Sequence, residues 1–176
     1  MASRADVSRR SGWQRSGVVL VAWIAGFAMP AWAGSACSWM NETTASALLG
    51  ADAKGSYAAA SAAQPANCVF EGSGAGVTST LTITVETSTD WQRRIQELVR
   101  DCHGEPRGMQ AIGNEAKECE VMLPRKLRGE LVVGRVRDQV FSIAIVTTMR
   151  NDPVLGPEQL ENRIAAAAEQ VAGNLY

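Results

Sequence analysis

Between residues 77 and 86 apolar and polar positions alternate strictly. Leu81, Ile83 and Val85 fall on one side, Thr80, Thr82 and Thr84 on the other. A period of two, rich in β-branched residues, predicts a strand with one buried face. Cys68-Val69-Phe70 starts another strand, and Gly72-Ser73-Gly74-Ala75-Gly76 supplies a turn, so 68–71 and 77–86 read as a hairpin. The period then becomes helical. Trp91, Ile95, Leu98, Val99 and Cys102 recur at helical spacing behind a Thr89/Gln92 capping box, and Gly104 and Pro106 end the run. Cys119, Val121 and Leu123 alternate again, giving a strand over 117–123. Leu131–Val136 and Val140–Thr148 are the strongest strand signals, joined by a tight turn at Arg137-Asp138-Gln139. Pro157 opens a last helix whose stripe is Leu160, Ile164, Ala167, Ala168, Val171 and Leu175. Earlier, Thr43 or Thr44 caps a short helix through Ala45, Leu48 and Leu49 that stops at Gly50. Residues 51–67 read as loop or weak helix, and 103–116 as an irregular crossing.

Hairpins dominate this order, and helices with one apolar stripe separate them. The expected fold is α+β: a mainly antiparallel sheet of about five strands with helices packed on one face. No repeat and no second domain is expected.

Upstream of all this lies a different pattern. Arg4, Arg9, Arg10 and Arg15 precede a 12-residue, mostly apolar run from Val18 to Met29. Pro30 breaks the run, and Ala31-Trp32-Ala33 offers a small-x-small site. The run is too short to span a membrane, which takes roughly 20 residues. Residues 1–33 therefore read as a secretory signal peptide, and 34–176 as a single exported domain, periplasmic or secreted, with no transmembrane segment once the signal is cleaved. Removing 1–33 would leave 143 residues with 13 basic and 17 acidic side chains, net −4, whereas the whole chain is net −1. That acidic balance argues against nucleic acid as a partner.

Export also changes the reading of Cys37, Cys68, Cys102 and Cys119. An even count in an oxidising compartment reads as two disulfides. Of three possible connectivities, Cys37–Cys68 and Cys102–Cys119 are favoured, because each brackets one local unit. The C-x2-C spacing of a zinc or redox site is absent, and no cofactor is implied.

The cysteines carry a resemblance as well. The opening Cys37…Leu48-Leu49-Gly50…Cys68-Val69-Phe70 resembles small exported bacterial proteins and lipoproteins of unknown function. In these a Gly-x-Gly-Asp-Glu-Ala-like turn precedes strands of the form valine, arginine, aromatic. Ala111-Ile112-Gly113-Asn114-Glu115-Ala116 and Val133-Gly134-Arg135-Val136-Arg137-Asp138-Gln139-Val140-Phe141 follow that layout. Asn114 stands where aspartate is usual, and the chain has no lipobox. The resemblance implies the first disulfide and the α+β fold, and it implies no catalytic residue.

Candidate chemistry is sparse. His103 is the only histidine, so any Ser/His/Asp or Cys/His catalysis would depend on it; its plainer reading is a solvated side chain at a helix end. Glu115, Glu118 and Glu120 cluster near a strand start, where a carboxylate pair could serve hydrolysis, but Glu118 and Glu120 alternate with Cys119 and Val121 as the wet face of a strand would. Positive charge is the most patterned feature: Arg125, Lys126 and Arg128 in one turn, Arg135 and Arg137 on the next strand, and Arg107 able to approach them. Such a patch is either an anion-binding site or a solvated guard against edge-to-edge association. The reading is a non-catalytic binding or protein-interaction domain whose partner is an envelope protein or a small anionic ligand. The alternatives are an envelope-associated accessory protein, or a hydrolase using His103 or the Glu115/Glu118 region.

Overall fold

The computed structural model describes residues 36–62, 64–74, 76–123, 127–149 and 152–176. The signal peptide expected over 1–33 lies outside the described residues, as do Arg125 and Lys126 of the basic turn. In chain order the elements are α1 (Glu42–Leu49), β1 (Ala53–Ala58), β2 (Ala66–Gly74), β3 (Val77–Thr87), α2 (Trp91–Leu98), a 3₁₀ turn (Val99–Asp101), β4 (Cys102–Met109), β5 (Glu115–Leu123), β6 (Leu127–Val136), β7 (Gln139–Thr147) and α3 (Pro157–Leu175). The seven strands form one antiparallel sheet in the order β1-β2-β3-β7-β6-β5-β4. Two meanders, β1–β3 and β4–β7, are thus joined where β3 pairs with β7, and α2 carries the chain from one to the far edge of the other.

The α+β class and the antiparallel sheet hold, with seven strands rather than about five. Both additional strands are edges. β1 lies in the stretch read as loop or weak helix, and beyond Ala53 its residues are exposed or half-buried. β4 lies in the expected crossing and includes Cys102, which the helical period had assigned to the preceding helix. Its pairing with β5 shifts register between His103 and Arg107, around Gly104 (φ 90°) and Pro106. An edge strand buries little and pairs on one side only, so it needs no alternation, and it tolerates proline and bulges that would break a central strand.

The helices occupy both faces, not one. α1 and α3 share the main core with Phe70, Leu81, Ile83, Phe141, Ile143 and Ile145, all buried. α2 sits on the opposite face, where Ile95 packs on Val133 and Val140 with Trp91, Leu98 and Leu131 around them. β6 accordingly buries both sides: Val132 and Val136 enter the first cluster, and Val133 the second. Ala167 and Ala168 in α3 are fully buried and let that helix lie close to the sheet.

Local detail also departs from expectation. Asn41 caps α1 by accepting from the Thr44 amide (2.8 Å), and Asp90, not Thr89, caps α2. The β6–β7 turn has two residues, Arg137-Asp138, with Gln139 already in the strand and Arg137 at φ 56°. Both favoured disulfides are present. Cys37–Cys68 ties the chain before α1 to β2, and Cys102–Cys119 crosses from β4 to β5.

The 111–116 segment and the 133–141 segment meet in space. The Asn114 amide donates to Arg135 O (2.7 Å), Asn114 Oδ1 accepts from the Arg137 amide (2.7 Å), and Arg135 Nη1 donates to Arg137 O (2.7 Å). Gly113 takes a positive φ of 60°, and any Cβ there would collide with Arg135 O. At Gly134 a Cβ would run into the Phe141 ring and lie 2.9 Å from Glu115 O. The motif is a corner that locks the strained β6–β7 turn.

Candidate functional site

The pleat of β4, β5 and β6 decides which side chains meet. On β5, Ala116 belongs to the main core, so Glu118 and Glu120 point to the same α3-bearing face. On β6, Val132 and Val136 mark that face, and Arg128 and Glu130 are in phase with them. Register places Glu120 opposite Glu130, and on the other side of β5 places Arg107 opposite Glu118 and His103 opposite Glu120. The start of α3 overhangs the group with Glu158 and Glu161. These residues line a cavity of about 460 Å³, which also includes Glu105 and Pro157.

The cavity holds six glutamates against two arginines and one histidine. Arg107, 61% exposed, reaches Glu161 Oε1 at 2.8 Å and Glu118 Oε2 at 3.7 Å, and Arg128 Nε is 3.0 Å from Glu120 Oε1. Glu130 is different. It is 5% exposed, forms no ion pair, and its Oε2 is enclosed without a hydrogen-bond partner among the described residues. Glu118 Oε1 is likewise enclosed and unbonded. Burial pushes the Glu130 carboxyl up to about 7, the charges of Glu118 and Glu120 add to the rise, and Arg128 and Arg107 only partly offset it. Burial also raises Glu118, against the pull of Arg107 and with a further push from Glu161.

The wet-face expectation for Glu118 and Glu120 is therefore corrected. Glu118 is 6% exposed and Glu120 half-buried, because α3 covers this face while the Cys102–Cys119 bridge and Val121 occupy the other. The supposed Glu115/Glu118 pair is split by the pleat. Glu115 faces the α2 side, 3.6 Å from Arg135 Nε. His103 is an exposed strand residue, not a helix-end residue, and it lies at the cavity. Among the described residues no three histidine, cysteine, aspartate or glutamate side chains converge as metal ligands.

The described arginines of the expected basic patch, Arg107, Arg128, Arg135 and Arg137, are dispersed. Arg107 and Arg128 are engaged by carboxylates in the cavity. Arg135 stands on the opposite face, its guanidinium 4.1 Å above the Trp91 ring. Seven residues of extended strand put about 23 Å between Arg128 and Arg135. Arg137 lies in the hairpin turn, 5.9 Å from the Tyr176 ring. The residue that sequence reasoning missed is Glu130. Its signal was phase: a carboxylate two residues before Val132 and six before Val136 occupies a buried-face position.

A second cavity, of about 370 Å³ beside Met40, Tyr57 and Phe70, contains one carboxylate, Glu42, already bound by the Gly55 amide (2.9 Å) and Lys54 (3.3 Å). Of these two cavities, the Glu130 cavity is the one lined by enclosed polar atoms without a hydrogen-bond partner among the described residues: Glu118 Oε1, Glu130 Oε2 and Arg128 Nε. Against known proteins, the chain matches no family model, no curated protein and no solved structure.

Proposed function

We propose that this chain is an exported, non-catalytic binding domain that takes a small ligand in the cavity between the β4–β6 sheet and the start of α3. One observation carries the reading. Glu130 is buried at that cavity and its Oε2 has no hydrogen-bond partner among the described residues, and an unmatched buried polar atom costs about 1–3 kcal/mol unless something meets it. A volume of about 460 Å³ falls within the range of small-molecule sites. The two disulfides accord with export. The accessory-protein alternative draws less support, because neither sheet edge is long, flat and apolar: β1 has six residues and β4 is bulged.

The test is a screen of small cationic, neutral and anionic compounds against the purified, disulfide-bonded protein, read by melting temperature and by amide NMR shifts. A binder is expected to raise the melting temperature and to shift resonances around Glu118, Glu130 and Glu161. Compounds that shift only the Arg135–Arg137 hairpin would move the site elsewhere. Turnover of chromogenic glycosides that is lost in Glu130→Gln would establish a hydrolase in its place.

A further inference from the structure

Three facts bear on what the cavity would accept. Its carboxyl groups outnumber its guanidinium groups six to two. Two of its enclosed oxygens, Glu130 Oε2 and Glu118 Oε1, have no hydrogen-bond donor among the described residues. The more exposed of its two guanidinium groups, Arg107, reaches Glu118 and Glu161 but makes no ion pair with Glu130 among the described residues. Once ionised, which for Glu130 means above about pH 7, carboxylate oxygens accept and do not donate, so the complement they then lack is a group made only of donors. Ammonium has three donors and guanidinium five, and neither has an acceptor. A bound anion would sit against an excess of negative charge, at a cost that the two arginines, already paired, do not offset. The α3 N-terminus favours anions, but Glu158 and Glu161 stand in its first turns. A metal ion is disfavoured by geometry, since no three ligating groups converge among the described residues.

We infer that the ligand of this cavity is a small organic cation, carrying a primary ammonium or guanidinium group that binds between Glu130 and Glu118 in competition with Arg107. The inference rests on the binding-domain reading above and adds the ligand's chemical class. Arg107 is then a resident competitor: an incoming cation displaces it from Glu118, and its exposed position on the bulged edge strand leaves it room to swing out.

The test is calorimetric and NMR titration of the purified protein at low salt with putrescine, spermidine and agmatine, and with 1,4-butanediol and succinate as neutral and anionic counterparts. The three amines are expected to bind and to shift resonances around Glu130, and the counterparts to leave them unmoved. Glu130→Gln and, separately, Glu118→Gln should each weaken amine binding about 10- to 100-fold, the loss expected for one charge-assisted hydrogen bond. Thermal melts of each variant separate loss of binding from loss of fold. Arg107→Ala should tighten binding several-fold, because it releases Glu118 and Glu161. If succinate or butanediol shifts the Glu130 region and the amines do not, the cation inference falls while the binding-domain reading stands. If Arg107→Ala abolishes binding, the arginine rather than the carboxylates holds the ligand, and the inference is overturned. If no probe of any charge moves those resonances, both readings fall.

Discussion

Glu130 shows how a single side chain can be structurally costly. It sits opposite Glu120 in the sheet, is shut away from water, and has no hydrogen-bond partner for its Oε2 among the described residues. Its carboxyl is held near 7, above the ordinary 4.5, first by burial and then by Glu118 and Glu120. The folded state therefore binds this proton more tightly than the unfolded state does. The group's contribution to stability is full below about 4.5 and declines as pH rises to about 7, where it levels off. Glu130→Gln removes that dependence. Denaturant titrations should find the variant close to wild type at pH 4 and more stable by on the order of 3 kcal/mol at pH 8. An unchanged pH profile would mean that the carboxyl is not held protonated. Asp152 is the opposite case. Burial disfavours its charge, yet Thr147 Oγ1 (2.7 Å) and the Val154 and Leu155 amides (2.8 and 3.1 Å) donate to it and hold its carboxyl below the usual value. Both are buried acids; one is satisfied by the fold before α3, the other is left facing a cavity.

At the scale of elements, the edges of the sheet carry the consequence. β4 forms one wall of the cavity, supplies His103 and Arg107, and is pinned to β5 by Cys102–Cys119. Its own burial is slight, and Pro106 and the bulge limit its pairing. The bridge closes a loop of 17 residues, which in the chain-entropy account contributes about 3 kcal/mol. Replacing both Cys102 and Cys119 by serine should lower stability by about that amount. Amide exchange should rise first in β4, with the β3–β7 centre protected until global unfolding. Uniform acceleration across the sheet would show that β4 is held by its ladder and not by the bridge. This edge was hard to read in the sequence for the same reason that it needs the bridge: with little buried apolar surface it has no periodicity to display. The central strands β3 and β7 alternate, and β6 shows a dense apolar run, so those were legible.

Across the whole molecule, the cavity depends on how close α3 lies to the sheet. Leu160, Ile164, Ala167 and Ala168 are fully buried against it, and Arg163 Nη1 donates to Leu48 O (2.8 Å), binding α3 to the end of α1. Glu161, on the same helix, reaches Arg107 across the cavity mouth. Ala168→Leu inserts three carbons into a closed interface, so it should cost about 1–3 kcal/mol. It should also lift α3 and weaken the Arg107–Glu161 contact, seen as shifted Arg107 and Glu161 resonances alongside a lower melting temperature. A lower melting temperature with those resonances unmoved would show that the cavity does not follow the helix. Among the described residues no helix is long and apolar enough to cross a membrane. α3, the longest of the described helices, is an amphipathic helix whose alanine stripe is used for close packing.

The sequence by itself determined the central hairpins and the α3 stripe, because periodicity along the chain is a local property that the residues display directly; for the cysteines it supported a preference among three pairings, and the fold decided it. Tertiary structure alone decided which face each helix covers. A strand such as β6, with Val132 and Val133 adjacent, reads as a continuous apolar run whether one face is buried or both. That choice in turn settled the site. Once α3 covers the Glu118/Glu120 side and α2 the other, a glutamate row that alternation marks as wet becomes a buried acidic cavity, and arginines close in sequence part to opposite faces of the sheet. Charge pattern along a chain carries no information about which neighbours a pleat brings together; the register between β4, β5 and β6 supplies it.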